Sequence, residues 1–255
     1  MSESLVRVER PQTGIAIVTM KRAEKRNALN IALLRQLGDA IDSLDASPEC
    51  RVLILAAEGP VFCAGLDLAE ATQLELKEQS AEGIRRVISG LHESRLVCIG
   101  AATGSAYAGG AGLLAACDLV VASDDFQIGF PEVRRGLVAA MIWSVLSRKL
   151  RDGDLRELLL LGEPIPAARA HQIGLIHWIV PRDRVLEQSL AVATKVLAGG
   201  PEAVRETKSL LNQAPGSISL DALRELHERI RDGSESREGL AAFLEHREPH
   251  WCRKS

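Results

Sequence analysis

Aromatic side chains are scarce: four Phe, three Trp and one Tyr in 255 residues. So few rings argue against a base-stacking platform, which needs several on one face. The core must be built from Ala, Leu, Val and Ile instead. Neither sign of charge is in excess. Thirty-one Lys and Arg against 34 Asp and Glu leave a formal net charge of −3, which offers no basic footprint for a phosphate backbone, and no nucleic-acid partner is expected. No run reaches the ~18 uncharged apolar residues of a membrane span, and the first ten residues lack the apolar segment of a secretory signal. The five cysteines (Cys50, Cys63, Cys98, Cys117 and Cys252) form no Cys-x-x-Cys and no Cys/His cluster of zinc spacing. Neither a disulfide framework nor a structural metal is therefore expected. These absences describe a soluble, reduced, cytoplasmic protein without a membrane partner.

What is present is the 46% apolar, 25% charged composition of an ordinary globular chain. Leu5–Glu9 and Gly14–Met20 read as a strand pair around Pro11-Gln-Thr-Gly14. Asn30 is placed to cap a helix whose Leu33, Leu34, Leu37, Ile41 and Leu44 share one face. Arg51–Ala57 is a buried strand, residues 80–95 a weaker helix, and Val97–Ala102 a strand. A glycine-rich turn and a short apolar helix follow, then strands at Leu119–Ala122 and Phe126–Gly129. Helical spacing recurs at 140–150, 155–161 and 167–173, before a strand at Leu175–Val180 and an almost wholly helical remainder. This alternation predicts an α/β layered unit over residues 1–198 and a helical region over 199–255.

Three segments carry candidate chemistry: Val61–Leu68, Gly104–Asp118 and Phe126–Gly136. In the second, Ala108, Gly109, Gly110, Ala111 and Gly112 sit where a strand hands over to a helix. Small residues there let a ligand reach helix N–H groups that lack internal partners, a setting suited to negative charge. Tight packing of a buried helix explains the same glycines equally well. Gly110-Ala-Gly112-Leu-Leu-Ala115 also fits a loose dinucleotide fingerprint. It lies mid-chain and inside the predicted helix rather than at a first strand–helix turn, which argues against a nicotinamide cofactor.

Taken together these segments resemble the crotonase, or enoyl-CoA hydratase/isomerase, family. Arg22-Ala-Glu-Lys-Arg-Asn-Ala-Leu-Asn30 is similar to its R-P-x-x-x-N-A-L-N helix entry, and Phe62-Cys-Ala-Gly-Leu-Asp67 to its F-x-A-G-x-D loop. Gly104–Asp118 matches most of G-x-A-x-G-G-G-x-E-L-x-x-x-C-D, and Phe130-Pro-Glu132 resembles x-P-E. Gly162–Ile176 and Ala242–Trp251 look like further landmarks. The resemblance implies a ββα spiral with a C-terminal helical region that builds a homotrimer or a dimer of trimers. It implies an acyl-CoA thioester substrate and no cofactor beyond that coenzyme A. Carried over by position, the backbone N–H groups of Ala64 and Gly109 form an oxyanion hole and Glu132 is the acid/base. Two prepositioned donors suit the negative charge that enolate formation puts on a thioester oxygen. Phe62, Gly65, Leu66, Asp67, Tyr107, Gly110, Gly112 and Phe130 are expected around the acyl group, with Phe126 also near by. Lys25, Arg26 and Ala28 are expected along the coenzyme. For Glu132, apolar neighbours Phe130 and Val133 would desolvate the carboxylate and raise its pKa; the residue alone also reads as a first-turn glutamate stabilised by a helix dipole.

One departure bears on the reaction. The family's hydratases carry a second glutamate where this chain has Gly112. Adding water across a double bond is easiest with two carboxylates on one water, whereas moving a double bond needs one base. The missing glutamate therefore favours isomerisation over hydration. Candidate substitutes are Asp67, which also reads as a helix cap, Glu70 and Tyr107. Leu137–Ile142 replaces a glycine-rich stretch, so an acyl pocket of different shape is expected. Cys63, His171 and His177 are expected to be structural. Hydrolysis or decarboxylation on the same fold, and a non-catalytic acyl-CoA binder, are the alternatives.

Overall fold

The computed structural model describes residues 4–71, 73–214 and 216–252. The chain runs through β1 (Val6–Gln12), β2 (Ile15–Met20), α1 (Ile31–Asp45), β3 (Val52–Ala57), α2 (Leu68–Ala71), α3 (Lys77–Glu93) and β4 (Val97–Ala102). Next come β5 (Ser105–Tyr107), α4 (Gly109–Ala116), β6 (Leu119–Ser123), β7 (Gln127–Gly129), α5 (Ala140–Leu146) and α6 (Asp152–Leu161). The remainder is β8 (Ile165–Pro166), α7 (Ala167–Gln172), β9 (Trp178–Val180), α8 (Val185–Leu197), α9 (Pro201–Leu211), α10 (Leu220–Arg231) and α11 (Ser234–Leu244). The main sheet has the order β1-β2-β3-β4-β6-β9, antiparallel only between β1 and β2. A smaller sheet, β5-β7-β8, stands apart from it.

The inner strands are covered on both faces, which is why they read as unbroken apolar runs. Alternation divides each strand between two cores. Ala16, Val18 and Met20 of β2, with Leu53 and Leu55 of β3, join the larger core that includes α1, α3 and α4. Ile15, Ile17, Val52 and Ile54 face the other way, onto Val185, Val192 and Ala193 of α8. The Asn30 carboxamide accepts from the Leu33 N–H at 2.9 Å, as a helix cap should, and the α1 leucines and Ile41 are buried.

The expected boundary after residue 198 falls between α8 and α9. Arg51 holds that junction, donating to the carbonyls of Leu197 (3.1 Å) and Gly199 (2.5 Å). Farther along α9, the Lys208 ammonium is buried and reaches Leu91 O (3.3 Å), Leu96 O (2.6 Å) and Asp118 (2.8 Å). All three of its donors are used, the condition under which a buried charge is tolerated.

Two elements differ from the sequence reading. The strand expected over Leu175–Val180 is only Trp178–Val180. The N–H groups of Leu175 and Ile176 instead close a turn on the Ala170 carbonyl at 2.9 and 3.2 Å. Ser105–Tyr107, read as part of a turn, is an edge strand of the small sheet, paired in parallel with β7.

Candidate active site

Two loops make the site, and glycines let them touch. The stretch after β3 runs beside β5: Phe62 N–H donates to Thr103 O (3.1 Å), Cys63 N–H to Ser105 O (3.3 Å), and Tyr107 N–H back to Cys63 O (3.0 Å). At Gly65, whose φ of +93° is closed to most side chains, a Cβ would stand 3.0 Å from the Tyr107 carbonyl. A Cβ at Gly110 would stand 2.6 Å from Cys63. These two close approaches bring Ala64 next to the start of α4. A third loop, 22–30, is pinned by buried Asn27. Its carboxamide donates to Glu58 O (2.8 Å) and Val61 O (2.9 Å) and accepts from Arg22 N–H (2.9 Å).

These loops, α3, α5 and the 3-10 turn Pro131–Arg135 enclose a cavity of about 640 Å³. Gly109 opens α4 there, and its N–H lies in the first turn, where no helical acceptor exists. The preceding Ala108 has φ 49° and ψ −124°, a conformation that is costly for a residue with a Cβ. Ala108→Gly is accordingly expected to stabilise the fold by about 1 kcal/mol, the relief of strain outweighing glycine's added chain entropy; urea unfolding midpoints check it.

Glu132 reaches the same cavity from the 3-10 turn. It is buried, and its Oε2 has no hydrogen-bond partner, alone in this among the buried side-chain oxygens and nitrogens of the described residues. Burial raises its pKa above the ordinary glutamate value; a backbone N–H and the Arg135 guanidinium pull more weakly the other way. The other candidate carboxylates are engaged. Asp67 lines the cavity but bonds Arg22 at 2.6 Å and caps α2 through Ala69 N–H at 3.0 Å. Glu70 accepts from the Ile31 N–H at 2.7 Å, at the start of α1.

Ala64 lines the cavity, and its N–H, expected as an oxyanion donor, gives its hydrogen here to the Arg26 carbonyl at 3.0 Å. Arg26 and Asn27 both have positive φ (53° and 52°), a reversal that brings this carbonyl to the 62–67 loop. Lys25, Arg26, Ala28 and Leu66 also line the cavity. Tyr107 instead lines a neighbouring chamber of about 270 Å³, to which Arg26, Ala64 and Arg135 are common. Phe62, Phe126 and Phe130, expected as walls around the thioester, are core residues with at most 1% of their surface exposed. Their rings point to the inner side of the loops that carry them.

Cys63 is structural: burial pushes its thiol up to about 12, and Sγ donates to Asn27 O at 3.0 Å. His177 accepts from the Val120 N–H at 3.0 Å, and burial lowers it to about 4, so it stays neutral. His171 Nδ1 lies 3.0 Å from the Ile176 carbonyl. Among the described residues no cluster of three or more His, Cys, Asp or Glu side chains is placed to hold a metal ion.

Residues 10–254 match the family model described as Enoyl-CoA hydratase/isomerase. The chain belongs to the enoyl-CoA hydratase/isomerase family. It is 33% identical over 255 residues to a Thermus thermophilus protein named as an enoyl-CoA hydratase, covering 97% of this chain and 100% of the relative. It is 30% identical to the mevalonyl-coenzyme A hydratase of Aspergillus fumigatus, covering 94% and 92%. The crystal structure of an enoyl-CoA hydratase from Bacillus anthracis superposes with a TM-score of 0.91 at 27% identity, over 96% and 98% of the two chains. The α/β fold with its helical C-terminal region is thus crotonase-type, and the chain is a family enzyme acting on acyl-CoA.

The surroundings of Gly112 bear on the reaction. A Cβ at Gly112 would stand 2.9 Å from Ile142 Cγ1 and 3.4 Å from Ile88 Cδ1. Both isoleucines line the cavity, as do Ile84 and Met141. The direction in which a second glutamate would leave α4 is therefore filled by apolar side chains from α3 and α5. Sequence reasoning missed these isoleucines and Arg135, since sequence spacing does not show which helices cross. The one available signal was Leu137–Ile142, apolar where the family has glycines.

Proposed function

We propose that this chain moves the double bond of a 3-enoyl-CoA to the 2-position, with Glu132 as the only proton carrier. The carboxylate takes a proton from C2, and the electron pair passes into a dienolate whose charge rests on the thioester oxygen. The resulting carboxylic acid returns that proton to C4, regenerating the carboxylate and leaving a 2-enoyl-CoA. Gly109 N–H donates to the oxyanion. Ala64 N–H becomes the second donor when the thioester oxygen displaces the Arg26 carbonyl. The thioester to coenzyme A stays intact throughout, and the step calls for no further cofactor.

The observation that carries this reading is Glu132 in the wall of a mainly apolar cavity, buried and with one carboxylate oxygen unpartnered. Its raised pKa makes it a stronger base than an ordinary glutamate. Gly112 and the isoleucines packed on it place no carboxylate at the position where the family's hydratases carry their second glutamate, and Asp67 in the same cavity is paired with Arg22. Hydration, the activity in the names of the relatives, is the competing reading. Product analysis of 2-enoyl-, 3-enoyl- and 3-hydroxyacyl-CoA substrates separates the two: isomerisation should dominate, and hydration at an equal rate would defeat the single-base account.

The expected homo-oligomer also belongs here. Leu211, Leu220, Leu240, Phe243 and Leu244 of the C-terminal helices are all exposed, an apolar surface suited to contact with further copies. Light scattering is expected to give a trimer or a multiple of it, and Phe243→Asp with Leu244→Asp to shift the mass toward the monomer. A setting in the reducing cytoplasm agrees with four buried free thiols.

A further inference from the structure

The chamber beside the catalytic cavity has a chemistry of its own. Arg26, Ala64 and Arg135 border both spaces, so the chamber opens off the catalytic cavity close to Ala64. Beyond these it is bounded by Tyr107 and by glycine and proline residues, and no acidic side chain lines it. Among the described residues the guanidinium of Arg135 makes no hydrogen bond and no ion pair within 4 Å, although its charge is felt by Glu132 of the same turn, and the guanidinium of Arg26 makes none either. The acid nearest in sequence to the chamber's Gly162 and Pro164 is Glu163, which is taken up by Arg134 at 2.6 Å. The Tyr107 hydroxyl has only a long contact, 3.4 Å to Gln127. Two guanidinium groups and a phenol thus border about 270 Å³ with no carboxylate in the chamber's lining.

A guanidinium with no carboxylate hydrogen-bonded to it is poised for one, since its planar fork matches two carboxylate oxygens and such charge-assisted pairs are among the stronger polar contacts. We propose that the chamber is a carboxylate subsite: the acyl group of the substrate carries an anionic end, held by Arg135 with Tyr107 as a further donor. This rests on the reading that the acyl group lies at Glu132. It goes further in naming the substrate class, a dicarboxylic acyl-CoA rather than a simple fatty acyl-CoA. Arg26, on the coenzyme side of the same border, is equally able to meet a phosphate of coenzyme A. Arg135, in the turn that carries Glu132, is the residue that distinguishes the two anions.

The test is binding of saturated thioesters, which the enzyme cannot turn over. Succinyl-, glutaryl- and adipyl-CoA are compared with butyryl-, pentanoyl- and hexanoyl-CoA by calorimetry on wild type, Arg135→Leu and Arg135→Lys, with thermal melts to check folding. At least one dicarboxylic thioester is expected to bind wild type about tenfold tighter than its uncharged counterpart. That preference should vanish in Arg135→Leu and survive in part in Arg135→Lys. Equal binding of every pair by wild type would overturn the proposal. So would an Arg135→Leu protein that is folded but weakened alike toward both thioesters, because Arg135 would then be serving the coenzyme phosphates. No turnover is measured, so a failure of the isomerase reading leaves this result standing or falling on its own.

Discussion

Glu132→Gln is expected to lower turnover of a 3-enoyl-CoA by about 10³-fold, within the range lost with a general acid/base, while making the protein more stable at neutral pH. Both effects come from the same burial. Glu132 is held in a mainly apolar cavity with one oxygen unpartnered, so its folded pKa lies above the unfolded value. A carboxyl of that kind favours the fold fully only when protonated. Its contribution is present below the ordinary glutamate pKa and is lost as pH rises through the raised one. The amide never ionises and escapes that loss. The gap in melting temperature between Glu132→Gln and wild type should therefore be widest near neutral pH and close on acidification. The activity of wild type should run the opposite way, falling as pH drops through the raised pKa, because the base must be ionised to take the C2 proton. A folded Glu132→Gln protein with undiminished turnover would remove Glu132 from the chemistry.

Supplying the missing glutamate should fail unless space is made for it. In Gly112→Glu the new Cβ meets Ile142 Cγ1 at 2.9 Å, and forcing extra atoms into a packed site costs about 1–3 kcal/mol. The single variant is expected to melt lower and to gain no hydratase activity. Gly112→Glu with Ile142→Ala opens the path of the carboxylate into the cavity. The ratio of hydration to isomerisation is expected to rise by about tenfold or more, in line with what one added acid/base group contributes. Chromatography of the acyl-CoA products measures that ratio directly.

The contact between Gly112 and Ile142 also marks how far sequence reasoning reached. Elements whose pattern is local were legible: the Asn30 cap and the leucine face of α1, and the apolar runs of β2, β3 and β4. So were the two loops that meet at the site, because their small residues are diagnostic in combination. Three kinds of feature were not. The three-residue strand Ser105–Tyr107 is too short to show alternation, and it exists only because Gln127–Gly129 pairs with it. The rings of Phe62 and Phe130 lie in site-forming segments, yet chain proximity does not say which side of a loop a side chain takes, and both are core. The hydrogen bond from Ala64 to Arg26 joins loops far apart in sequence and depends on backbone dihedrals that residue types alone do not reveal. Ile84, Ile88, Arg135 and Ile142 reach the cavity by tertiary packing for the same reason.

The central claim is that a single glutamate carries a proton between C2 and C4 without adding water. Turnover of a 3-enoyl-CoA by the wild-type enzyme in deuterium oxide, followed by NMR, tests it most directly. The account predicts a 2-enoyl-CoA as the main product, in which the hydrogen taken from C2 is retained at C4 except for the fraction that exchanges with solvent while Glu132 is protonated beside the dienolate. A 3-enoyl-CoA left unconverted, or a product whose C4 hydrogen comes wholly from solvent, would contradict it.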